Sequence, residues 1–463
     1  MMKGYLTIFL AMSLSIFTGF ILFLTTCAIR NGEKIRFECA SDTAMNAVLS
    51  EFHVNLFERY GLLYVDASYL GENPGIEEVE KRIFYYMEKN TSSVMRKKNA
   101  PWGQLAVTHV EIPFFSPAAA DEGASMRHQA VLWVQDSGIV KKESDVTDYR
   151  TQINDLNEED PFGAWQGIME QIAGMELPRI LNEEGEWEEV PLSNPADWVY
   201  CLLESDAFYL GEVDMQQISP VGIDLNQYIT HRQIENITAS NRIYQKEEKQ
   251  FFAYLFEKMG YYGNPKEGSL LCCQIEYLAE GKDSDLENMK AVTDRLLQWR
   301  FADNVSLALS DGNLREQAAA AAKDLQAVIL KNEFEIPVAE SILYACAFLE
   351  SIADLRTIYA GGSIPLRKID HQMEVDKVLA GIMYHSDGIE GFSYGEYLAG
   401  MLLLLEDEIL QLRAMDIMEM DIRLQNGNAG FCMDWCIESF EAQISVEGSA
   451  GGIYQIRRRY GYF

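Results

Sequence analysis

The sequence predicts an α+β fold in which one N-terminal transmembrane helix continues into a long amphipathic helix. A mixed sheet, a large helical middle section and a C-terminal β-hairpin complete it. Three observations carry this expectation. No charged residue occurs from Tyr5 to Ile29, helical apolar spacing then continues through Ile35, Cys39, Ala44, Ala47, Val48 and Phe52, and the C-terminus alternates around a glycine-rich turn.

The apolar segment is about 25 residues long, which at about 1.5 Å per residue crosses a hydrocarbon core of about 30 Å. A signal peptide would have an apolar region of only about 7 to 15 residues ending in small residues, whereas this run passes Thr25-Thr26-Cys27-Ala28 into Arg30. An uncleaved, single-pass anchor in the cell membrane is therefore expected. Lys3 flanks one side and Arg30, Lys34 and Arg36 the other. With so short an N-terminal tail, the bulk of the chain is expected outside the cytoplasm. Ala11, Ser15 and Gly19 recur every fourth residue, a spacing that stacks small side chains where a second helix can approach.

The stretch from Tyr5 to Tyr60 is expected to be one almost unbroken helix, or two abutting ones hinged at Gly32, with Gly61 as C-cap and a strand over 62–69. Strands are read over 104–112 and 128–135 with a Pro-, Ala- and Gly-rich loop between them, and 140–160 reads as an exposed, charged connection. Helices follow over 162–175, 241–258, 284–309 and 314–330. Capping boxes are read at Ser284/Glu287 and Ser393/Glu396. Segments 341–359 and 398–405 are apolar but bounded or interrupted by Glu350, Asp354, Glu396 and Glu406, so they read as buried core helices. Strands over 436–446 and 453–460 form the closing hairpin. The parts are then an anchor (1–30), its amphipathic continuation (31–61), a strand-rich part (62–140), a mainly helical section (141–425) and the hairpin (426–463).

The opening also carries a resemblance. A Lys-Gly start, an apolar helix, an Arg just beyond it and the run Arg36 to Ala47, with Ala40-Ser41-Asp42 and Thr43-Ala44, look like the opening of pseudopilin-like membrane proteins of Tad (Flp) pilus systems. The stretches 275–278, 283–297, 350–362 and 392–423 are similar to a family of unknown function associated with Tad-type pilus gene clusters of Gram-positive bacteria. The resemblance implies a structural role, with the membrane and other membrane or pilus-assembly proteins as partners of the N-terminal helix. It also implies a processing site at Gly4, although such processing favours glutamate at the fifth mature position, where this chain has Phe9. The Asp-x-Ser-x-Ser metal motif of larger relatives does not occur.

Charge and motifs narrow the function classes. Acidic residues number 71 against 38 basic ones, a formal net charge of −33, so the body offers no average basic surface for nucleic acid. Phosphate-loop, nucleophile-elbow and zinc-helix motifs are missing from the sequence. No catalytic, cofactor-binding or metal-ligating set is assigned, and no small-molecule substrate is identifiable. His109 and His128 fall on two expected strands, yet unrelated histidines outweigh a shared metal. His385-Ser386-Asp387 reads as a turn, 183–189 as a solvated acidic loop, and Arg457-Arg458-Arg459 as strand charges alternating in direction toward local acids. Eight cysteines are too few to build a scaffold of this size. Cys432 and Cys436, about 13 Å apart on an extended chain, read as unpaired. An anchored structural component is the leading expectation, ahead of a tethered extracytoplasmic binding or sensing module and an anchored hydrolase.

Overall fold

The α+β class is what the chain adopts. The structure, a computed structural model, describes residues 2–69, 75–92, 105–138, 149–176, 179–181, 186–189, 194–232, 247–329, 335–384, 390–449 and 451–462. The chain divides into two units. The first comprises 1–137, 226–247 and 415–463, and the second 138–225 and 248–414. Among the described residues there are six strands: β1 (Val65–Asp66), β2 (Leu105–Pro117), β3 (Arg179–Leu181), β4 (Trp187–Glu189), β5 (Cys436–Gly448) and β6 (Ile453–Gly461).

In the first unit a single helix runs Met2–Leu49, passing Gly32 without a break. It does not reach Tyr60, as its spacing suggests. The chain turns over 50–53, and His53 starts a separate helix, Val54–Tyr60, its Nδ1 accepting the amide of Leu56 at 3.2 Å. A side-chain acceptor at the first free amides favours a new helix start over continuation. Gly61 ends that helix at φ +74°, where a Cβ would stand 2.2 Å from Trp133 Cδ1. Both the left-handed backbone and the close ring demand glycine.

The expected strand over 62–69 shrinks to Val65–Asp66, because Asp66 Oδ1 takes the Ser68 amide at 2.8 Å and closes a turn. β2 extends through the expected loop to Pro117, and its register with β5 shifts between Glu111 and Phe114, the bulge that accommodates Pro113. Residues 128–135 are not a strand but lie in the helix Ala124–Ser137. A short apolar run does not distinguish the two, and the buried set Met126, Ala130, Val131 and Val134 follows helical spacing. Gln129 on that helix exchanges both amide hydrogen bonds with the backbone of Leu63, standing where a strand partner would be.

The sheet is antiparallel, with β5 at its centre. β2 pairs one edge of β5, while β1 and β6 share the other. Phe37, Ala40, Ala44, Met45 and Val48 of the long helix and Val79, Ile83 and Met87 of the helix Ile76–Ser92 meet Ile437, Phe440, Ile444 and Val446 in one core. The recurrence of Phe37, Ala40, Ala44 and Val48 every third or fourth residue makes this a one-sided seam.

The second unit is mainly helical. Asp285–Ser310, Gly312–Ile329 and Glu335–Tyr359 are its long helices, with Pro161–Ala173 and Tyr394–Leu402 packed among them and the small β3–β4 hairpin beside. Within the expected exposed connection lies the helix Arg150–Glu158, which buries Ile153 and Leu156; residues 139–148 lie outside the described residues. Ser284 caps the 285–310 helix by accepting the Glu287 amide, and Ser393 with Glu396 makes both arms of a capping box. The segment Ile336–Tyr359 is long and apolar enough to span a membrane, but 83% of its apolar window is buried, so it is a core helix.

Candidate functional site

Among the described residues, the feature that departs most from an ordinary soluble body is the long helix. Its apolar window is wholly unburied, with Leu6, Phe9, Phe17, Phe20 and Phe23 all exposed. Water penalises such a surface, and soluble chains rarely leave an apolar patch of this size. Four hydroxyls in it are satisfied by the helix itself. The hydroxyls of Ser15, Thr18, Thr25 and Thr26 donate to the carbonyls of Ala11, Leu14, Ile21 and Leu22 at 2.7–2.9 Å. The arrangement suits surroundings that offer no hydrogen bonds. Ala11, Ser15 and Gly19 lie along one exposed face, and a Cβ at Gly19 would meet nothing within 4 Å. Gly4 sits in the first turn of the same helix.

Beyond the apolar part, the helix is tied to the C-terminal strand by polar side chains. Glu33 is 1% exposed; its Oε1 accepts from the Ser449 amide at 3.0 Å and from the Ser449 hydroxyl, and its Oε2 from the Tyr454 hydroxyl at 2.9 Å. Five residues past the buried Phe37, Asp42 Oδ1 accepts from Arg458 Nη1 at 2.6 Å and from the Tyr460 hydroxyl. At the helix end Tyr462 donates to the Leu49 carbonyl at 2.6 Å. Tyr454, Ile456, Arg458, Tyr460 and Tyr462 are alternate residues, so they lie on one face of the strand and the chain just after it. The other arginines point elsewhere, Arg457 to Glu441 and Arg459 to the Ser439 hydroxyl, as alternation requires. A Cβ on Gly448 would stand 2.4 Å from Glu33 Oε2, so the closeness of this contact depends on glycine. Burial, and then the Glu33 carboxylate, raise the Tyr454 phenol, as burial and then Asp42 raise Tyr460. Both tyrosines therefore remain donors at any physiological pH.

Sequence spacing singled out Ala11, Ser15 and Gly19 but not this seam. Its signal is the alternation of Tyr454, Arg458, Tyr460 and Tyr462 against Glu33 and Asp42, nine residues apart on the helix.

The remaining candidates separate. His109 is on β2, 3.4 Å from Glu111, while His128 is on a helix, so they are not on neighbouring strands. No group of three or more potential metal ligands occurs among the described residues. Glu186 and the exposed β4 are described, but the rest of the acidic loop and 385–389 lie outside the described residues. All eight cysteines are unpaired, and Cys432 and Cys436 are linked by the short turn 433–435 rather than an extended chain.

Carboxylates are buried in both units. In the second, Glu276 is fully buried; Oε1 accepts from the Tyr262 amide at 2.8 Å and the Tyr394 hydroxyl at 2.9 Å, and Oε2 has no hydrogen-bond partner. Burial pushes it up to about 7. In the first, Glu419 rises to about 7 for the same reason, against the opposing pull of Arg232. A carboxyl raised in the folded state holds its proton longer than in the unfolded chain. Its contribution is therefore greatest at acid pH and is lost as pH rises from about 4.5 to about 7. Replacing Glu276 by Gln removes that titration. Its unfolding free energy, measured across this window in denaturant, is expected to fall less steeply with pH than that of the wild type; equal slopes would refute the assignment.

A cleft of about 410 Å³ opens in the second unit between 203–210 and one face of the 285–310 helix. Phe162, Leu297 and Phe348 line its apolar part, while Asp206, Lys290 and Asp294 supply charge; Lys290 Nζ is 3.2 Å from Asp206.

Comparison with known proteins gives one match. A family described as a family of unknown function, DUF5702, matches residues 185–448, more than half the chain, beginning well after the long helix. No curated protein and no solved structure matches.

Proposed function

We propose that this chain, which belongs to the DUF5702 family of unknown function, is a membrane-anchored, non-enzymatic structural component of a Tad-like pilus or related surface assembly. Its N-terminal helix is both the single span and the packing surface, and the acidic body stands outside the cytoplasm. The observation that carries this reading is the division of one unbroken helix into an exposed apolar half and a half built into the core of the first unit. A tether needs no such continuity, since a flexible linker would hold the body equally well. Continuity makes the span and the first unit move as one piece, as a subunit positioned by its neighbours requires. The pilus assignment rests on the Tad-like run from Arg36 to Ala47 and on the later similar stretches.

Substitution of Ser15 and Gly19 by Leu places bulk on the small-residue face while keeping the span apolar. Co-purification with the membrane proteins of the pilus locus is expected to fall to background, with membrane fractionation unchanged. Retention of wild-type co-purification would contradict the packing role. The cleft in the second unit favours one other reading, a membrane-tethered extracytoplasmic binding module, for which a saturable small ligand would be the evidence.

A further inference from the structure

We propose that the cleft in the second unit is a binding site for an amphipathic primary amine, its ammonium paired with Asp294 and its apolar tail lying against Phe162, Leu297 and Phe348. The inference goes beyond the structural role and rests on the cleft alone. Glu287, Lys290, Ala291, Asp294 and Leu297 recur at helical spacing, so one face of the 285–310 helix forms one wall over a rise of about 15 Å. Residues of 203–210 form the other wall. The volume of about 410 Å³ lies within the range of roughly 300–1,000 Å³ that small-molecule sites occupy.

The two ends of the cleft differ in chemistry. Toward the helix start lie Lys282, Glu287 and the pair of Lys290 with Asp206. At the other end Leu297 and Phe348 are buried, and the half-buried Phe162 packs on Phe348 with ring centroids 6.3 Å apart. Asp294 stands between the ends, and no ion pair or hydrogen bond reaches its carboxylate from the described residues. The nearby cations on its helix are engaged elsewhere: Lys290 lies 3.2 Å from Asp206 and 3.8 Å from Glu287, and Arg295 lies 3.0 Å from Glu280. Lys282 precedes the helix, whose first residue, Asp285, is itself about 14 Å of rise from Asp294. Partial burial, then Asp206, raise the Asp294 carboxyl against the pull of Lys290, so a cation beside it is favoured by its surroundings. An ammonium is compact enough to meet this need. Leu297 follows Asp294 by about 4.5 Å of rise, which sets the spacer between ammonium and tail at about two or three carbons. A bare metal ion would leave the apolar end unused, and no group of three or more potential metal ligands occurs among the described residues.

The test is isothermal titration calorimetry of the full chain in detergent, referenced to detergent alone, with 3-phenylpropylamine and its anionic counterpart 3-phenylpropanoate. Saturable binding of the amine is expected. The propanoate, and the amine with Asp294→Asn, should bind at least about tenfold more weakly, the loss that follows removal of one charged hydrogen-bond partner. Ala291→Leu, which fills the cleft from the same helix face, should also weaken the amine, while circular dichroism of both variants stays as in the wild type. The protein carrying Ser15→Leu and Gly19→Leu should bind the amine as the wild type does, so that loss of the site and loss of the packing role are read separately. Absence of saturable amine binding, equal affinity in Asp294→Asn or Ala291→Leu, or preference for the propanoate would overturn the site.

Discussion

Replacing Lys368 by Met is expected to destabilise the second unit by about 3–5 kcal/mol, the range for stripping one partner from a buried ion pair. Lys368 Nζ lies 2.6 Å from Glu350 Oε1 and 3.0 Å from Asp354 Oδ1, with all three side chains at most 1% exposed. Asp354 Oδ2 in turn receives Arg300 Nε at 3.1 Å and Asn304 Nδ2 at 3.0 Å. Arg300 also reaches Asp303 at 2.9 Å and the carbonyls of Pro365 and Leu366 at 3.0 and 3.1 Å. Without the ammonium, Glu350 retains only the Gln372 amide at 3.3 Å, and its Oε2 already lacks a hydrogen bond. The double variant Lys368→Met with Glu350→Gln should recover part of the loss. Denaturant unfolding of the three proteins checks this; a single-variant loss below about 1 kcal/mol would place the network in a far more polar setting than its burial indicates.

Replacing Phe37 by Ala is the second large expected effect, about 3–5 kcal/mol on the first unit, the usual range for emptying a buried phenylalanine site. Phe37 is 2% exposed, packs within the helix–sheet core and stands 6.4 Å from the Tyr454 ring, between the Glu33 and Asp42 contacts. The substitution weakens the seat and leaves the apolar half untouched. Unfolding of the first unit should shift to lower denaturant, while membrane fractionation stays as in the wild type. A stability loss with simultaneous release from the membrane would show that the body, and not the helix, holds the chain there.

Both predictions concern features that the sequence displays only in part. The apolar run, the Gly61 cap and the closing hairpin are local patterns, and local patterns are legible. Glu350 and Asp354 register as interruptions of an apolar helix, correctly denying it a span. Their role as the centre of a buried network depends on Arg300, about 50 residues earlier, and on Lys368, 14 or more residues later. The seam has the same character, since Glu33 and Ser449 are 416 residues apart. The failures have local causes. Residues 128–135 are too short an apolar run to fix a period, and helical spacing carried across 50–53 hides a turn that His53 makes with its side chain.

On the proposed function, the N-terminal helix holds the acidic body at the outer face of a membrane. Alkaline carbonate fractionation of cells, followed by protease added to intact spheroplasts or protoplasts, tests it most directly. Full-length chain is expected in the carbonate-resistant pellet and, after protease, loss of the body with a short N-terminal fragment retained in the membrane. Full-length chain in the carbonate supernatant, or a body protected until the membrane is dissolved, would contradict it.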